Sequence, residues 1–235
     1  MTLSIIPIEG IGEIRPGDEL AELIIDAARA QGTSVEGGDC LVVTQKVVSK
    51  AENRLVPLDP DDLDARRALV ESESVRIVRR RGDLIISETR HGFVCANAGI
   101  DLSNVAHGWA ALLPVDADRS AKHVRDAIRA RERVDVAVIV SDTFGRPWRR
   151  GLTDVAIGVS GVAAVVDLRD TTDALGRALQ VTEVAVADEI ASAAELVMGK
   201  AKSVPVAIVR GVDPGWLREG TVRELIRPTN EDLFR

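Results

Sequence analysis

The residues best suited to chemistry stand at the end of an apolar run. VDVAVIVSD delivers Asp142 and Thr143 at its carboxyl end, the place where open α/β sheets meet their ligands. A carboxylate beside a hydroxyl suits Mg²⁺ or Mn²⁺, because hard cations take oxygen ligands and keep several waters. Arg146, Arg149 and Arg150 follow within eight residues. They form a basic knot fit to clamp a phosphate or carboxylate in bidentate fashion; the plainer alternative is a solvated loop that balances nearby acids. A second stretch, NAGIDLSNV, packs Asn97, Asp101, Ser103 and Asn104 into a turn after an apolar strand. It reads either as an Asx-turn serving its own backbone or as an oxygen-ligand site, with Asp101 on a metal and Asn104 donating to phosphate or sugar. A third, VTQKVVSKAENR, spaces Lys46 and Lys50 four residues apart, so that they share a helix face. Lys50 there is either a surface lysine or a point charge for a β- or γ-phosphate, with Thr44, Gln45 and Ser49 as neutral donors. The bend Glu9-Gly10-Ile11-Gly12 lets backbone N–H groups approach a nucleotide. Metal-binding acids beside an arginine knot, with no catalytic His or Cys, point to phosphoryl transfer from a nucleotide.

The remaining chemistry-bearing residues are few. No GxxxxGK[ST], GxGxxG after a strand, HExxH or GxSxG occurs. His123 lies in a charged helical pattern and reads as a surface residue, while His91 and His107 border the polar motifs and stay open as ligand contacts. Cys40 and Cys95 each sit in an apolar run and read as small buried hydrophobes. Asp188 and Glu189 open a helix, where acids complement the macrodipole.

The elements that must position these residues alternate irregularly. Segment 3–8 reads as a strand, and Asp18 as the N-cap of a helix from about Glu19 to Ala30. CLVVT is a strand covered on both faces. A long charged helix is expected from about Asp62 to Arg81, then LIISE with HGFVCANAG returning against it as a hairpin. Ser120–Arg133 reads as a helix, VDVAVIVSD as the strongest strand, and TFGRPWRRG as a loop. Residues 153–168 read as one or two strands, 181–186 as another, and Asp188–Lys200 as a helix. VPVAIVRG closes the series as a strand, with a short helix over Gly220–Ile226. This order is too mixed for a βαβ array and too helical for a sandwich, so an α+β domain with room for two lobes is expected.

Composition prunes the partners. The chain has 235 residues, 46% hydrophobic, with only six aromatics and a net charge of −7; a nucleic-acid-binding face, which needs basic and aromatic residues, is therefore disfavoured. No secretory signal or membrane-length apolar stretch occurs, so a cytoplasmic protein is expected. Four of the aromatics, Phe93, Trp109, Phe144 and Trp148, fall between residues 93 and 148 and are expected to shape the site rather than fill the interior.

Taken together, IIPIEGIGEIRPGDELAELI, GDCLVVTQKVVSKAENRLV, HGFVCANAGIDLSNV, SDTFGRPWRRGLTDVAIGVSG and VTEVAVADEIASAAELVMGKAKSVPVAIVRG resemble the coenzyme F-420 gamma-glutamyl ligase family, in order from about residue 5 to residue 211. The resemblance implies a GTP-dependent amide ligase of uncommon α+β, mixed-sheet fold, homodimeric, using Mg²⁺ or Mn²⁺ with K⁺ helpful. Its substrates would be coenzyme F-420-0, L-glutamate and GTP. Carried over residue by residue, Asp101, Asp142 and Thr143 would hold the divalent metal. Glu9, Gly10, Ile11, Gly12, Thr44, Gln45, Lys50, Asn104, Met198, Gly199 and Lys200 would surround GTP, and Asp142 and Lys50 would carry catalysis. Arg146, Arg149 and Arg150 are assigned to an anionic substrate from charge and placement. The ligase domain would span residues 1–212, and 213–235 would be a tail; RPTNEDLFR resembles the junction into a flavin-dependent reductase domain found fused in some bacteria. A metal-dependent nucleotide hydrolase and a non-catalytic GTP-binding module are the competing classes.

Overall fold

The structure, a computed structural model, describes residues 2–169 and 171–233; Phe234 and Arg235, the end of the junction-like motif, lie outside them. Its strands and α-helices run, in chain order, β1 (Ser4–Ile8), α1 (Leu20–Ala30), β2 (Cys40–Thr44), α2 (Gln45–Ala51), β3 (Leu55–Pro57), α3 (Leu63–Ser72), β4 (Ser74–Arg81), β5 (Leu84–Thr89), β6 (Val94–Ala96), β7 (Trp109–Ala111), α4 (Ala117–Glu132), β8 (Ala137–Arg146), β9 (Arg149–Ser160), β10 (Val166–Asp167), β11 (Glu183–Val184), α5 (Val186–Met198) and β12 (Val206–Arg210). The α+β, mixed-sheet class is as expected. No helix among the described residues is long and apolar enough to cross a membrane.

A five-stranded sheet of order β1-β12-β2-β8-β9 forms the centre. Only β2 and β8 pair in parallel; β12 runs against both β1 and β2, so β1, β2 and β8 point the same way. Side chains of successive strand residues face opposite sides, and the aliphatic runs use both. Leu41, Val43, Val138, Val140 and Ile208 pack with Leu20 and Ile24 of α1 and Val124 and Ile128 of α4. Val42, Ala137, Ile139, Ala207 and Val209 pack on the other side with Ile190, Ala191, Ala194 and Met198 of α5. Each fully buried Val, Leu or Ile among these contributes about 1.5–3 kcal/mol. CLVVT is thus covered on both faces, and Cys40 and Cys95 are free, buried thiols.

Residues 53–113 leave this sheet and return. They form a three-stranded antiparallel sheet, β4-β5-β6, and the β3–β7 pair. Several expected elements differ here. The helix expected over 62–81 stops at Ser72, and RIVRRR forms strand β4, which turns at Gly82-Asp83 (Gly82 φ +58°) into β5. The hairpin between LIISE and FVCA is present as β5–β6. Asp18 does not cap α1: Glu19 holds that position, and Asp18 instead accepts from the Arg15 N–H at 2.7 Å, closing the preceding turn. TFGRPWRRG is no loop either. β8 runs to Arg146 and β9 begins at Arg149, leaving Pro147-Trp148 as the turn, with Trp148 at φ +58°. The strand expected over 181–186 shrinks to β11, because Val186 already starts α5. The short helix expected over Gly220–Ile226 is a 3-10 turn, Val222–Leu225.

Two close approaches lock these layers. A Cβ on Gly158 would meet the backbone of Ala117 at 2.3 Å, so only glycine lets the start of α4 lie on β9. Asp118, in the first turn of α4, accepts from the N–H of Val159 at 2.7 Å and from that of Val222. The segment from Pro214 onward is thereby held on the body, with Trp216, Leu217 and Leu225 packed on the α5 side of the core and Val222 and Ile226 on the other. Asp188 accepts from Ala156 N–H at 2.9 Å in addition to opening α5.

Candidate active site

The carboxyl ends of β1 and β2 and the middle of β8 reach one edge of the sheet: Ile8 pairs with Val206, Val43 with Val206, and Thr44 with Ser141. Beyond that edge lie the bend Glu9–Gly12, helix α2, the continuation of β8 through Asp142 and Thr143, and the connection from α5 to β12. Most of the residues singled out from the sequence are gathered here, for the reason that strand direction dictates.

Asp142 and Thr143 are neighbours on β8 and so face opposite layers. Asp142 continues the Val138-Val140 side, while Thr143 continues the Ile139 side. On the first side Asp142 is half-buried. Burial foremost, then the charges of Asp101 and Asp154, push its pKa up to about 7, against the opposing N–H of Thr143 (2.8 Å) and the charge of Lys200. Cys95 shares this neighbourhood; burial and the charge of Asp142 push its thiol up to about 12, which keeps it a neutral packing group.

Asp101 is carried in by the 53–113 excursion. Its backbone is fastened to Ala111 by reciprocal hydrogen bonds of 3.0 and 2.8 Å. Burial disfavours its charge, but Lys46 Nζ at 2.8 Å and the Ser103 N–H at 2.7 Å outweigh that and hold its pKa below the ordinary value. The Ser103 contact is the Asx-turn read from the sequence. Asn97 also serves the backbone, accepting from Ile85 N–H at 3.0 Å.

On the second side Thr143 Oγ1 donates to Asp154 Oδ1 at 2.5 Å, and Lys200 Nζ donates to that same Thr143 oxygen. Lys200 also pairs with Asp154 at 3.2 Å and Glu195 at 3.4 Å. Partial burial works against its charge, yet these acids prevail and raise its pKa. Lys200 therefore reaches the hydroxyl of Thr143 from the turn that follows α5.

The other expected nucleotide contacts divide. Glu9, Gly10 and Ile11 line an open cleft of about 770 Å³ whose far wall is Leu196, Val197, Lys202, Ser203 and Val204. Gln31 fixes the near wall, accepting from Glu9 N–H and donating to Pro7 O, both at 2.9 Å. Thr44 stands at the N-cap position of α2, its side chain making no capping hydrogen bond. Lys50, on that helix, is buried with its ammonium on the carboxylate of Glu13. Gln45 points inward, its amide donating to Ser49 Oγ (2.6 Å) and Leu112 O (3.0 Å), and Met198 is wholly buried, so these two offer backbone rather than side chain to the edge. Gly199 turns the chain at φ +60°. Asn104 stands exposed in the loop after Asp101 at φ +52°.

Arg146, Arg149 and Arg150 are exposed at the tip of the β8–β9 hairpin, where Arg146 donates to Arg150 O at 3.2 Å. Trp148 (80% exposed) and Leu152 accompany them. Phe93, by contrast, fills the interior, with Phe144 edge-on to it at 6.1 Å; the aromatics do not all border the site as expected. His91 stacks on Phe93 and bonds Pro114 O at 2.9 Å, and His123 is a surface residue beside Glu19.

Sequence reasoning did not single out Asp154, Glu195, Glu13 or Gln31. Asp154 stands opposite Thr143 only because the register shifts between Gly145 and Arg146; a plain hairpin about Pro147-Trp148 would set Leu152 there.

Comparisons with known proteins place the chain in a family. Residues 10–211 match the family model described as F420-0:Gamma-glutamyl ligase. The chain belongs to that family. A coenzyme F420:L-glutamate ligase of Methanothermobacter thermautotrophicus is 45% identical over a match covering all of both chains. One of Methanopyrus kandleri is 44% identical, covering all of this chain and 98% of the relative, and one of Methanocaldococcus jannaschii is 40% identical over 86% of each.

Proposed function

We propose that the protein is a GTP-dependent ligase that adds L-glutamate to the deazaflavin coenzyme F-420-0. The observation that carries the reading is that Asp101 and Asp142 share one side of the β8 end, with Thr143 the next residue on that strand, while Glu9–Ile11 and the loop after α5 line a cleft at the same end of the sheet. Among the described residues no three His, Cys, Asp or Glu side chains form a cage for an ion. The donor set nevertheless fits Mg²⁺ or Mn²⁺, since such ions are held by one or two carboxylates together with substrate phosphates and water. Asp101 and Asp142 would hold the divalent ion, with Thr143 beside them. When bound, it would neutralise phosphate charge and favour the ionised form of Asp142.

In this mechanism the terminal carboxylate of the coenzyme attacks the γ-phosphorus of GTP. The bond from that phosphorus to the β,γ-bridging oxygen breaks, GDP leaves, and an acyl phosphate forms. The α-amine of glutamate then attacks the acyl carbon, loses a proton, and expels inorganic phosphate as the amide forms. Later glutamates would join through γ-carboxyl linkages by the same steps. The chain supplies position and charge rather than a covalent nucleophile. Lys50 and Lys200 bring cations towards the phosphates, with Glu9–Gly12, Thr44, Gln45, Asn104 and the 198–200 turn around the nucleotide. Arg146, Arg149 and Arg150 offer bidentate donors to the acidic coenzyme or glutamate. The family resemblance supports a cytoplasmic homodimer aided by K⁺.

Mass spectrometry of the coenzyme after incubation with GTP, Mg²⁺ and glutamate tests the reading. A product heavier by whole glutamate residues, with GDP release that needs both coenzyme and glutamate, is expected. GDP release without either acceptor would instead identify a hydrolase.

A further inference from the structure

A threonine hydroxyl has one proton and two lone pairs, and only the lone pairs can face a cation. The proton of Thr143 has a dedicated acceptor in Asp154, which stands opposite it in the hairpin register, 2.5 Å away. Asp154 is 2% exposed. Its second carboxylate oxygen accepts from Ser141 Oγ at 3.1 Å, and its backbone carbonyl accepts from Ser192 Oγ at 2.7 Å, so both ends of the residue are fixed. The lone pairs this leaves on Thr143 already face a cation, the ammonium of Lys200.

We propose that Asp154 is a positioning residue of the cation site. It takes the Thr143 proton, turning the lone pairs of Oγ1 outward, and it places a fixed negative charge behind that oxygen. Lys200 rests on this pair until a divalent cation competes for it. The inference rests on the metal site of the proposed function, with Asp154 acting through Thr143.

The test is Mn²⁺ titration of the whole chain, following the electron paramagnetic resonance of free Mn²⁺. Asp154→Asn removes the charge and gives the residue a donor of its own; it should weaken Mn²⁺ binding at least tenfold. Thr143→Val should do the same, and the double variant should bind no more weakly than the weaker single one, because both remove one device. If Asp154→Asn fails to fold, Asp154→Glu carries the test: it keeps the charge but moves it by a methylene, and should also weaken binding tenfold. Wild-type affinity in a folded Asp154 variant, or fully additive losses in the double variant, would overturn the proposal alone. Absence of Mn²⁺ binding by the wild-type chain would overturn the metal site itself, and the role of Asp154 with it.

Discussion

Replacing Asp142 with asparagine should stabilise the metal-free protein at neutral and alkaline pH while ending turnover. In the folded chain the carboxyl titrates at about 7 against an ordinary 3.8. The native state therefore keeps a proton that the unfolded chain releases, and stability falls as pH rises between those two values. At about 1.36 kcal/mol per unit, a shift of about three units costs about 4 kcal/mol once pH exceeds 7, and about 1.6 kcal/mol at pH 5. Asparagine abolishes that cost and keeps an oxygen for the Thr143 N–H, which now binds Asp142 Oδ1 at 2.8 Å. The 4 kcal/mol is an upper value, because water and neighbouring side chains relax around a buried charge.

Urea unfolding in EDTA gives the measurement. Asp142→Asn should be more stable than wild type by up to about 4 kcal/mol at pH 8, and the difference should shrink below about 1 kcal/mol by pH 4.5. In thermal melts of a chain this size the pH 8 gain corresponds to roughly 8–16 °C at most. Mg²⁺ should narrow the gap by stabilising wild type alone. A gain under about 1 kcal/mol at pH 8, or one that persists unchanged at pH 4.5, would refute the idea that the fold bears the cost of an ionised Asp142.

Arg149→Ala should raise KM for one anionic substrate about tenfold, the loss of a charge-assisted hydrogen bond worth about 1.4 kcal/mol; steady-state kinetics with unchanged KM for coenzyme, glutamate and GTP would count against the arginine knot. Glu13→Gln should lower the GTP concentration for half-maximal rate several-fold, since it frees Lys50 from the carboxylate that now holds it; an unchanged value would mean that the pair does not compete with phosphate. Gly158→Ala should destabilise the fold by about 1–3 kcal/mol or more in chemical denaturation, because the methyl would sit 2.3 Å from Ala117.

What the sequence showed and hid follows from local physics. Leu41, Val43, Val138 and Val140 against Val42 and Ile139 are aliphatic on both faces, and such runs read as central strands in any context. The acids at the end of VDVAVIVSD follow from that. β4 was hidden because arginine is a good helix former and no proline or glycine interrupts 62–81. Its strand character comes from pairing: Gly82-Asp83 turns it onto β5, and Arg76 meets Glu88 across the hairpin at 2.9 Å. Asp154 was hidden twice: Pro147 punctuates the sequence as a loop although proline is equally at home in a two-residue turn, and the register shift between Gly145 and Arg146 sets Asp154 rather than Leu152 opposite Thr143. Gln45 looked like a donor to nucleotide because its neighbours are polar; only the fold shows its amide consumed by Ser49 and Leu112.

The overshoot of β8 beyond the sheet edge explains why so few acids suffice. Within the sheet, β8 is walled by α1 and α4 on one side and α5 on the other. Past the edge those layers part, yet the strand still alternates. Asp142 therefore looks toward Asp101 and the excursion, while Thr143 looks toward Asp154 and the turn after α5. A helix would set consecutive side chains about 100° apart rather than on opposite faces, and a loop would give them no fixed sides. Two neighbouring residues can thus reach charge held in two separate layers, Asp101 through Lys46 and Asp154 through Lys200. Asp101 and Asp154 each rest on a lysine when no ion is bound, whereas burial first, and then the charges of those two acids, raise the pKa of Asp142. On this geometry the ion-binding free energy should depend more steeply on pH near 7 than either lysine-paired acid would allow, and Asp142→Asn should flatten that dependence in the same Mn²⁺ titration.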